Sequence, residues 1–256
     1  MPTSLTRFEW GAPFAGDAEA TLRSLRLRLA QSQLSQIVNR RRVIIILEGW
    51  VGSGKKTALR RMVGSWDPCN VDTVCVGRTA NHDSDRHWLA PYWANLPGAG
   101  NTAIFYPSWY RRIAEMRLDG KLDDKQFARA CDEINEFEAQ QRDHGTLIVK
   151  LFFHMTADRQ AAVMRERQSD PWMHHLLSPG AAEAMSRRDD LIAIIDDIFA
   201  QTDTRWAPWT VVNGNDEAGA SIQSLDVLAA ALEKAMPTSP PADGETVIPF
   251  RHSRAG

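Results

Sequence analysis

The feature that most constrains this chain is a short apolar run followed at once by a glycine-rich turn and a lysine. The run Val43–Leu47 has four β-branched residues and a leucine, so it predicts a strand buried on both faces. Three glycines follow at Gly49, Gly52 and Gly54, then two lysines and the helical pattern ALRRMV. Strand, glycine turn, lysine and helix in this order are typical of a phosphate-binding loop.

The chemistry of the turn supports this prediction. Glycines allow successive backbone N–H groups to face an anion, the helix start adds partial positive charge, and the lysine reaches terminal phosphates. A turn that only packs tightly would not explain two lysines at a helix start, where the macrodipole disfavours cations. We therefore expect phosphate to contact Gly49, Gly52, Ser53, Gly54, Lys55, Lys56 and Thr57. Lys56 occupies the place where Ser or Thr ordinarily holds Mg²⁺, with Thr57 one residue later, so the sequence assigns no metal ligand.

Composition narrows the function classes. The 256 residues are 43% hydrophobic and 24% charged, as in ordinary globular proteins of one or two domains. A net charge of −2 gives no general attraction to nucleic acid or anionic membranes. No apolar run approaches the roughly 18 residues that cross a membrane, and the first residues lack the apolar core of a signal peptide. The three cysteines form no CxxC pair. We therefore expect a cytoplasmic protein with reduced thiols and neither a nucleic-acid nor a membrane partner.

Predicted strands alternate with helical patterns along the chain. The strands are Val71–Val76, Thr102–Tyr106, Thr146–Phe153 and Trp209–Asn213, after the first at Val43–Leu47. Helices are predicted from Asp17 and over residues 123–144, 156–168, 181–200 and 217–235. This alternation predicts an α/β fold with a parallel sheet and helices on both faces. The phosphate loop then lies at the carboxyl end of the first strand, where such sheets bind ligands.

The same patterns divide the chain into three parts. Residues 1–40 are predicted to be an irregular segment followed by an amphipathic helix, and residues 41–236 to be the main domain. Within it, residues from about 156 to 190 carry several arginines and are long enough to form a helical lid over bound phosphate. Residues 237–256 are rich in proline and predicted to be disordered.

Several segments also keep a characteristic order and spacing. They are LEGWVGSGKK at 47–56, Trp66-Asp67-Pro68, YWANLPGAG at 92–100, IFYPSWY at 104–110, FEAQQRDHGTLIVKLFFHMT at 137–156, SDP at 169–171, LSP at 177–179 and TDTRWAPWTVVNGND at 202–216. With these segments the chain resembles the polyphosphate kinase 2 family. More narrowly, it is similar to the N-terminal half of the two-domain polyphosphate:AMP phosphotransferases.

The resemblance implies a P-loop kinase-type fold and phosphoryl transfer between inorganic polyphosphate and a nucleoside phosphate, assisted by Mg²⁺. It also implies a homo-oligomer. By position, Gly49 to Lys55 would cradle phosphate, and Arg167 corresponds to an arginine of the lid. Lys55 and Arg167 are therefore the predicted catalytic residues.

The chain departs from the family where the family has carboxylates. Val51 replaces an aspartate of the loop, and Tyr106 replaces the aspartate after the third strand, with Pro107 in place of an arginine. In the family these aspartates bind Mg²⁺ and orient the acceptor, and phosphoryl transfer depends on such positioning and charge neutralisation. Further departures are Pro91 and Val163, each in place of an arginine, and His175-Leu176 in place of a tryptophan–lysine pair.

Two functions therefore stay open. The first is a polyphosphate-dependent phosphotransferase. The second is a catalytically impaired relative that binds polyphosphate or nucleotide as a regulatory or assembly partner. An ATP-dependent nucleoside monophosphate kinase is a third, and it would need base-reading residues that we do not identify. Glu48, Asp83 and Asp85 are the nearby carboxylates that could replace the missing pair.

Other charged and aromatic residues have simpler interpretations. Spacing alone predicts that Arg159, Arg165 and Arg167 form a solvated helix face, and the resemblance reverses this for Arg167 only. The run Arg187-Arg188-Asp189-Asp190 is predicted to be self-compensating surface charge. By resemblance, Trp109 and Trp209 are expected near the cleft.

Overall fold

Five parallel strands form the centre of the structure. This computed structural model describes residues 3–76, 86–176, 185–237 and 239. The strands are β1 (Arg42–Gly49), β2 (Val71–Val74), β3 (Thr102–Phe105), β4 (Thr146–His154) and β5 (Trp209–Asn213), in the spatial order β2-β3-β1-β4-β5. Every neighbouring pair is parallel, which confirms the α/β fold expected from alternating strands and helices.

Eight α-helices surround the sheet within the described ranges. They are α1 (Ala18–Val38), α2 (Lys55–Val63), α3 (Ala90–Trp93), α4 (Trp109–Leu118), α5 (Asp124–Asp143), α6 (Ala157–Ser169), α7 (Arg188–Thr202) and α8 (Glu217–Ala235). Side-chain caps fix several starts, as N-cap preferences predict: Asp17, Asp123 and Thr156 each accept a hydrogen bond from a backbone N–H of the first turn. The helix predicted from residue 181 is α7, which begins at Arg188; residues 177–184 lie outside the described ranges.

Five strand ends differ from the prediction, including both ends of β1, which runs over Arg42–Gly49 rather than Val43–Leu47. β2 and β3 stop at Val74 and Phe105, one or two residues early. The N–H of Tyr106 still donates to the carbonyl of Val74, but Pro107 follows and has no N–H to continue the ladder. β4 runs one residue longer, to His154, because that residue still pairs with Asn213 of β5.

The apolar run of β1 is buried on both faces, as predicted. Val43, Ile45 and Leu47 pack with α1, α2 and α8, whereas Ile44 and Ile46 pack with α4, α5 and α7. Successive side chains of a strand point to opposite faces, so an uninterrupted apolar run places β1 between the two helical layers. The loop that follows β1 therefore emerges from the middle of the sheet at its carboxyl edge.

The N-terminal segment lies against the main body of the protein. Residues 3–16 contain neither helix nor strand, as predicted. Leu5 is buried, and Ser4, Thr6 and the backbone N–H of Leu5 donate hydrogen bonds to the Asp196 carboxylate of α7. The division of the chain into three parts stays a prediction, and the tail at 237–256 lies, apart from residues 237 and 239, outside the described ranges. Across the part that the structure describes, no helix has the length and apolar character needed to cross a membrane.

Candidate phosphate-binding site

The loop between β1 and α2 turns sharply because its glycines adopt backbone angles that other residues rarely take. Gly49, Gly52 and Gly54 have φ of +132°, +90° and +82°. At Gly49 the loop passes so close to β4 that an added Cβ would lie 2.3 Å from the carbonyl oxygen of Phe153. Glycine at position 49 is thus required by close backbone approach as well as by conformation.

Lys55 is folded back into this loop. Its side chain is 8% exposed, and its Nζ donates to the carbonyl oxygens of Gly49 at 2.7 Å and Trp50 at 2.6 Å. Burial, with smaller contributions from the charges of Arg111 and Arg167, lowers the pKa of the amine to about 7. Ser53 is also buried, and its hydroxyl donates to the Trp50 carbonyl at 2.8 Å. The cation therefore sits at the centre of the loop rather than in solvent.

The helix after the loop starts without a side-chain cap. Gly54 is the N-cap, and among the described residues no side chain hydrogen-bonds to the first N–H groups of α2 in that role. These groups carry partial positive charge and are available to an anion. Lys56 is exposed and Thr57 is half-buried on the same turn.

An open cleft of about 290 Å³ adjoins the loop. The cleft lies between the loop, α6 and the start of α8, and its walls are formed by Gly52, Gly54, Arg159, Val163, Glu166, Arg167, Asp170, Met173, Gly214 and Glu217. The structure thus brings the predicted lid arginine, Arg167, together with the glycines of the loop. Arg159 lines the cleft as well, although it is exposed as spacing predicted, whereas the exposed Arg165 does not.

Carboxylates also line the cleft, and one of them accepts hydrogen bonds from neighbouring backbone N–H groups. The Asp170 carboxylate accepts the N–H groups of Trp172 and Met173, each at 2.8 Å, and these bonds lower its pKa. Glu166 and Glu217 complete the acidic set. The cleft is therefore mixed in charge, with its cations at Arg159 and Arg167.

Glu48 has a structural role rather than that of a free ligand. It is 6% exposed, and its Oε1 accepts the N–H of Ser108 at 2.8 Å and the Ser108 hydroxyl at 2.6 Å. Ser108 caps α4, so Glu48 ties the end of β1 to the start of that helix. Burial raises the pKa of the carboxyl, and the hydrogen bonds from Ser108 oppose that shift.

The described residues include no ready-made cluster of metal ligands. Mg²⁺ takes oxygen ligands, chiefly carboxylates, and in the described ranges there is no group of three or more His, Cys, Asp or Glu that could hold a metal ion. Val51 offers no side-chain oxygen, and the Tyr106 ring lies 6.0 Å from the Nζ of Lys55 where the resemblance expected a carboxylate. Asp83 and Asp85 lie outside the described ranges.

Two tryptophans expected near the cleft lie elsewhere. Trp109 is fully buried, and its Nε1 donates to Glu138 at 3.1 Å, so the prediction is wrong for this residue. Trp209 donates to Thr202 and lines a small cavity of about 30 Å³ behind the loop, not the open cleft. Both belong to a buried polar cluster around Lys150, which a short-range pattern cannot reveal because its members are distant in sequence.

The prediction of surface charge at 187–190 is wrong for Arg188. Arg187 does lie 3.5 Å from Asp190, as a self-compensating pair would. Arg188 instead turns inward, with its guanidinium 4.1 Å from the centre of the Trp50 ring. The four-residue run looks like surface charge, and nothing in the local pattern distinguishes its two arginines.

The fold and the loop together define an α/β protein of the P-loop kinase type. The chain belongs to the polyphosphate kinase 2 family, whose model matches residues 15–240. It is 29% identical to a polyphosphate:AMP phosphotransferase of Acinetobacter johnsonii over 91% of this chain and 48% of that protein. It is 30% identical to a GDP-polyphosphate phosphotransferase of Mycolicibacterium smegmatis over 82% of this chain and 74% of that protein.

A solved structure agrees with this assignment. The crystal structure of polyphosphate kinase 2 from Arthrobacter aurescens TC1 superposes with a TM-score of 0.88 at 27% identity, covering 95% of this chain and 90% of that one. The chain spans about half, or less, of the length of the polyphosphate:AMP phosphotransferases it matches, 48% in one and 39% in another. The family and the fold expected from the sequence motifs are thus confirmed.

Proposed function

We propose that this protein transfers phosphoryl groups between inorganic polyphosphate and a nucleoside phosphate at the cleft beside the phosphate loop. The observation that carries the proposal is the position of Lys55, a buried lysine inside the glycine loop whose Gly52 and Gly54 line the same cleft as Arg167. Relatives named polyphosphate:AMP and GDP-polyphosphate phosphotransferases support this substrate class.

The proposed contacts follow from the geometry of the loop. The N–H groups of the loop and of the first turn of α2 would bind phosphate oxygens, together with the Ser53 and Thr57 hydroxyls. Lys55 would exchange its two carbonyl contacts for phosphate oxygens, which are stronger acceptors because they are charged. Arg167 would close on the phosphates from α6, and the exposed Lys56 would attract the polyanion at longer range.

Magnesium enters the proposal only as an ion that accompanies the phosphate chain. The described residues include no cluster of three or more possible metal ligands, so we assign it no ligand on the protein. From the family resemblance we also propose a cytoplasmic homo-oligomer, and light scattering on the purified protein measures that state directly.

A second candidate, binding without turnover, is favoured by one observation. Val51 and Tyr106 stand where the resemblance expects aspartates, and neither side chain can coordinate a metal ion as a carboxylate does. Such a relative would bind polyphosphate or nucleotide at the same cleft and act as a regulatory or assembly partner.

One assay separates the candidates. The purified protein is incubated with polyphosphate, Mg²⁺ or Mn²⁺, and AMP, ADP or GDP in turn, and newly formed nucleoside phosphates are quantified. New product that requires polyphosphate supports transfer, whereas its absence in every combination refutes it. Retained polyphosphate binding would then support the second candidate, and product that appears only with ATP would indicate a nucleoside monophosphate kinase instead.

A further inference from the structure

Arg188 contacts three separate parts of the protein close to the phosphate loop. Its guanidinium lies 4.1 Å from the centre of the Trp50 ring, the residue that follows Gly49. One Nη donates to the side-chain oxygen of Gln160 at 2.5 Å, and the other donates to the carbonyl of Met155, directly after β4. A planar guanidinium can make these contacts together, and an ammonium cannot.

Gln160 extends this arrangement to the loop itself. It is 3% exposed in the first turn of α6, and its Nε2 donates to the carbonyl oxygen of Val51 at 3.2 Å. Arg188 thus reaches the loop twice, through the ring of Trp50 and through Gln160 to Val51. Both loop residues are held from outside by side chains of α6 and α7.

Trp50 is fixed on a further side. Its Nε1 donates to Nδ1 of His154 at 2.7 Å, and the His154 ring stacks on Trp10 of the N-terminal segment at 4.7 Å between ring centres. The carbonyl oxygen of Trp50 is one of the two that accept a hydrogen bond from the Lys55 amine. A displacement of Trp50 would therefore move an acceptor of the buried lysine.

The partial burial of Arg188 indicates that these contacts are specific. Burial lowers the pKa of its guanidinium, because withdrawal from water destabilises the charged form. A cation withdrawn from water needs hydrogen-bond acceptors and a π face, and Met155, Gln160 and Trp50 supply them. Arg187, the preceding residue, instead donates to the Leu118 carbonyl and lies near Asp190, with 37% of its side chain exposed.

We propose that Arg188 is a positioning residue for the phosphate cleft, because it fixes α6 to the loop through Gln160 and Trp50. The helix so fixed carries Arg159 and Arg167, which line the cleft opposite the loop. Arg188 sets their distance from Lys55 without touching the phosphate chain. This inference rests on the proposed function, since it concerns how the same cleft grips polyphosphate.

The test compares Arg188→Lys with Arg187→Lys in the full chain. Both variants keep their charge and lose a guanidinium. The guanidinium of Arg188 contacts Trp50, Met155 and Gln160, whereas that of Arg187 contacts the Leu118 carbonyl and Asp190. We expect polyphosphate affinity to fall about tenfold in Arg188→Lys and to change less than about twofold in Arg187→Lys. Equal affinities in the two variants would overturn the inference, and so would equal losses matched by equal falls in melting temperature, which would indicate general destabilisation.

Two further readouts separate positioning from direct contact with phosphate. Because Arg188 is proposed to make no phosphate contact, Arg188→Gln, which removes the charge, should keep the salt dependence of polyphosphate binding seen in the unmodified protein; a slope reduced by about one charge would overturn the inference. Gln160→Leu interrupts the same connection, so the double variant Gln160→Leu/Arg188→Lys should bind no more weakly than the weaker single variant. Additive losses would contradict the connection through Gln160.

Hydrogen exchange tests the coupling without any ligand. Backbone amides of the loop and of the first turn of α6 should exchange faster in Arg188→Lys than in Arg187→Lys, while those of α1 remain unchanged. If the unmodified protein binds no polyphosphate, the proposed function fails, and this comparison still decides whether Arg188 fixes α6 to the loop. Equal exchange in both variants would overturn the inference.

Discussion

Replacing Gly49 by alanine should damage the loop far more than the same replacement at a glycine with open space around it. An alanine Cβ at position 49 would lie 2.3 Å from the carbonyl oxygen and 2.7 Å from the nitrogen of Phe153, and both are backbone atoms that no rotamer change can move. The backbone there also has a φ of +132°, which L-residues rarely adopt. β1 and β4 must therefore separate at their carboxyl ends.

The magnitude follows from two contributions. Backbone strain of this kind costs about 1–3 kcal/mol, and separation of the strands weakens the bond from the Trp50 N–H to the Phe153 carbonyl, which contributes about 1 kcal/mol. We expect Gly49→Ala to lower the free energy of unfolding by about 2–4 kcal/mol. Gly120→Ala is the matched control, since Gly120 has a φ of +69° with nothing within 4 Å of an added Cβ, and strain alone should cost about 1 kcal/mol there.

Urea unfolding of both variants measures these losses, and titration with polyphosphate measures the effect on the loop. We expect polyphosphate binding to be lost in Gly49→Ala and retained in Gly120→Ala. If Gly49→Ala were no less stable than Gly120→Ala and bound polyphosphate normally, the close approach of loop and β4 would not matter, and the reasoning would be wrong.

Three further predictions concern buried ionisable groups. Burial lowers the pKa of Lys55 to about 7, so polyphosphate affinity should fall as the pH rises from about 6 to 8.5 and the amine loses its charge. Titration calorimetry on Lys55→Met should show that this fall in affinity with pH is removed. Lys150→Met should cost about 3–5 kcal/mol in urea unfolding, because the Glu138 carboxylate stays buried without its partner at 3.2 Å, and Glu138→Gln in the same chain should restore most of the loss. Burial lowers the pKa of His154 to about 4, below its ordinary value of 6.5, so the unfolded chain binds the proton first as the pH falls. The free energy of unfolding should therefore drop as the pH falls from 6.5 to about 4. In His154→Gln the dependence of that free energy on pH should be flatter over this range.

The parts of the fold that sequence predicted are those whose causes are local. Residues 42–63 predict β1, the loop and α2 from local features alone. These features are an apolar run of β-branched residues, a series of glycines that adopt positive φ, and a following helical pattern. Cap residues such as Asp17 and Asp123 fixed helix starts to within one residue. The alternation of strands and helices was sufficient for the parallel sheet.

The rest of the site depends on contacts between segments far apart in the chain. Arg188 lies 138 residues after Trp50, as their numbers give, and only the packing of α7 against the loop brings them together. Trp109 contacts Glu138 through the packing of α4 on α5. Neither pairing leaves a periodic signal, so the charge pattern predicted a surface position for Arg188, and the family resemblance predicted a position near the cleft for Trp109. Tertiary contacts decided both cases.

The central claim, that the loop around Lys55 binds polyphosphate, is tested most directly by calorimetric titration of polyphosphate into Lys55→Met. The matched control is Lys125→Met, which removes an exposed lysine of α5 and the same formal charge. We predict that affinity falls at least about tenfold in Lys55→Met and changes less than about twofold in Lys125→Met, because only Lys55 lies inside the loop. Equal affinities in both variants and the unmodified protein would contradict the claim.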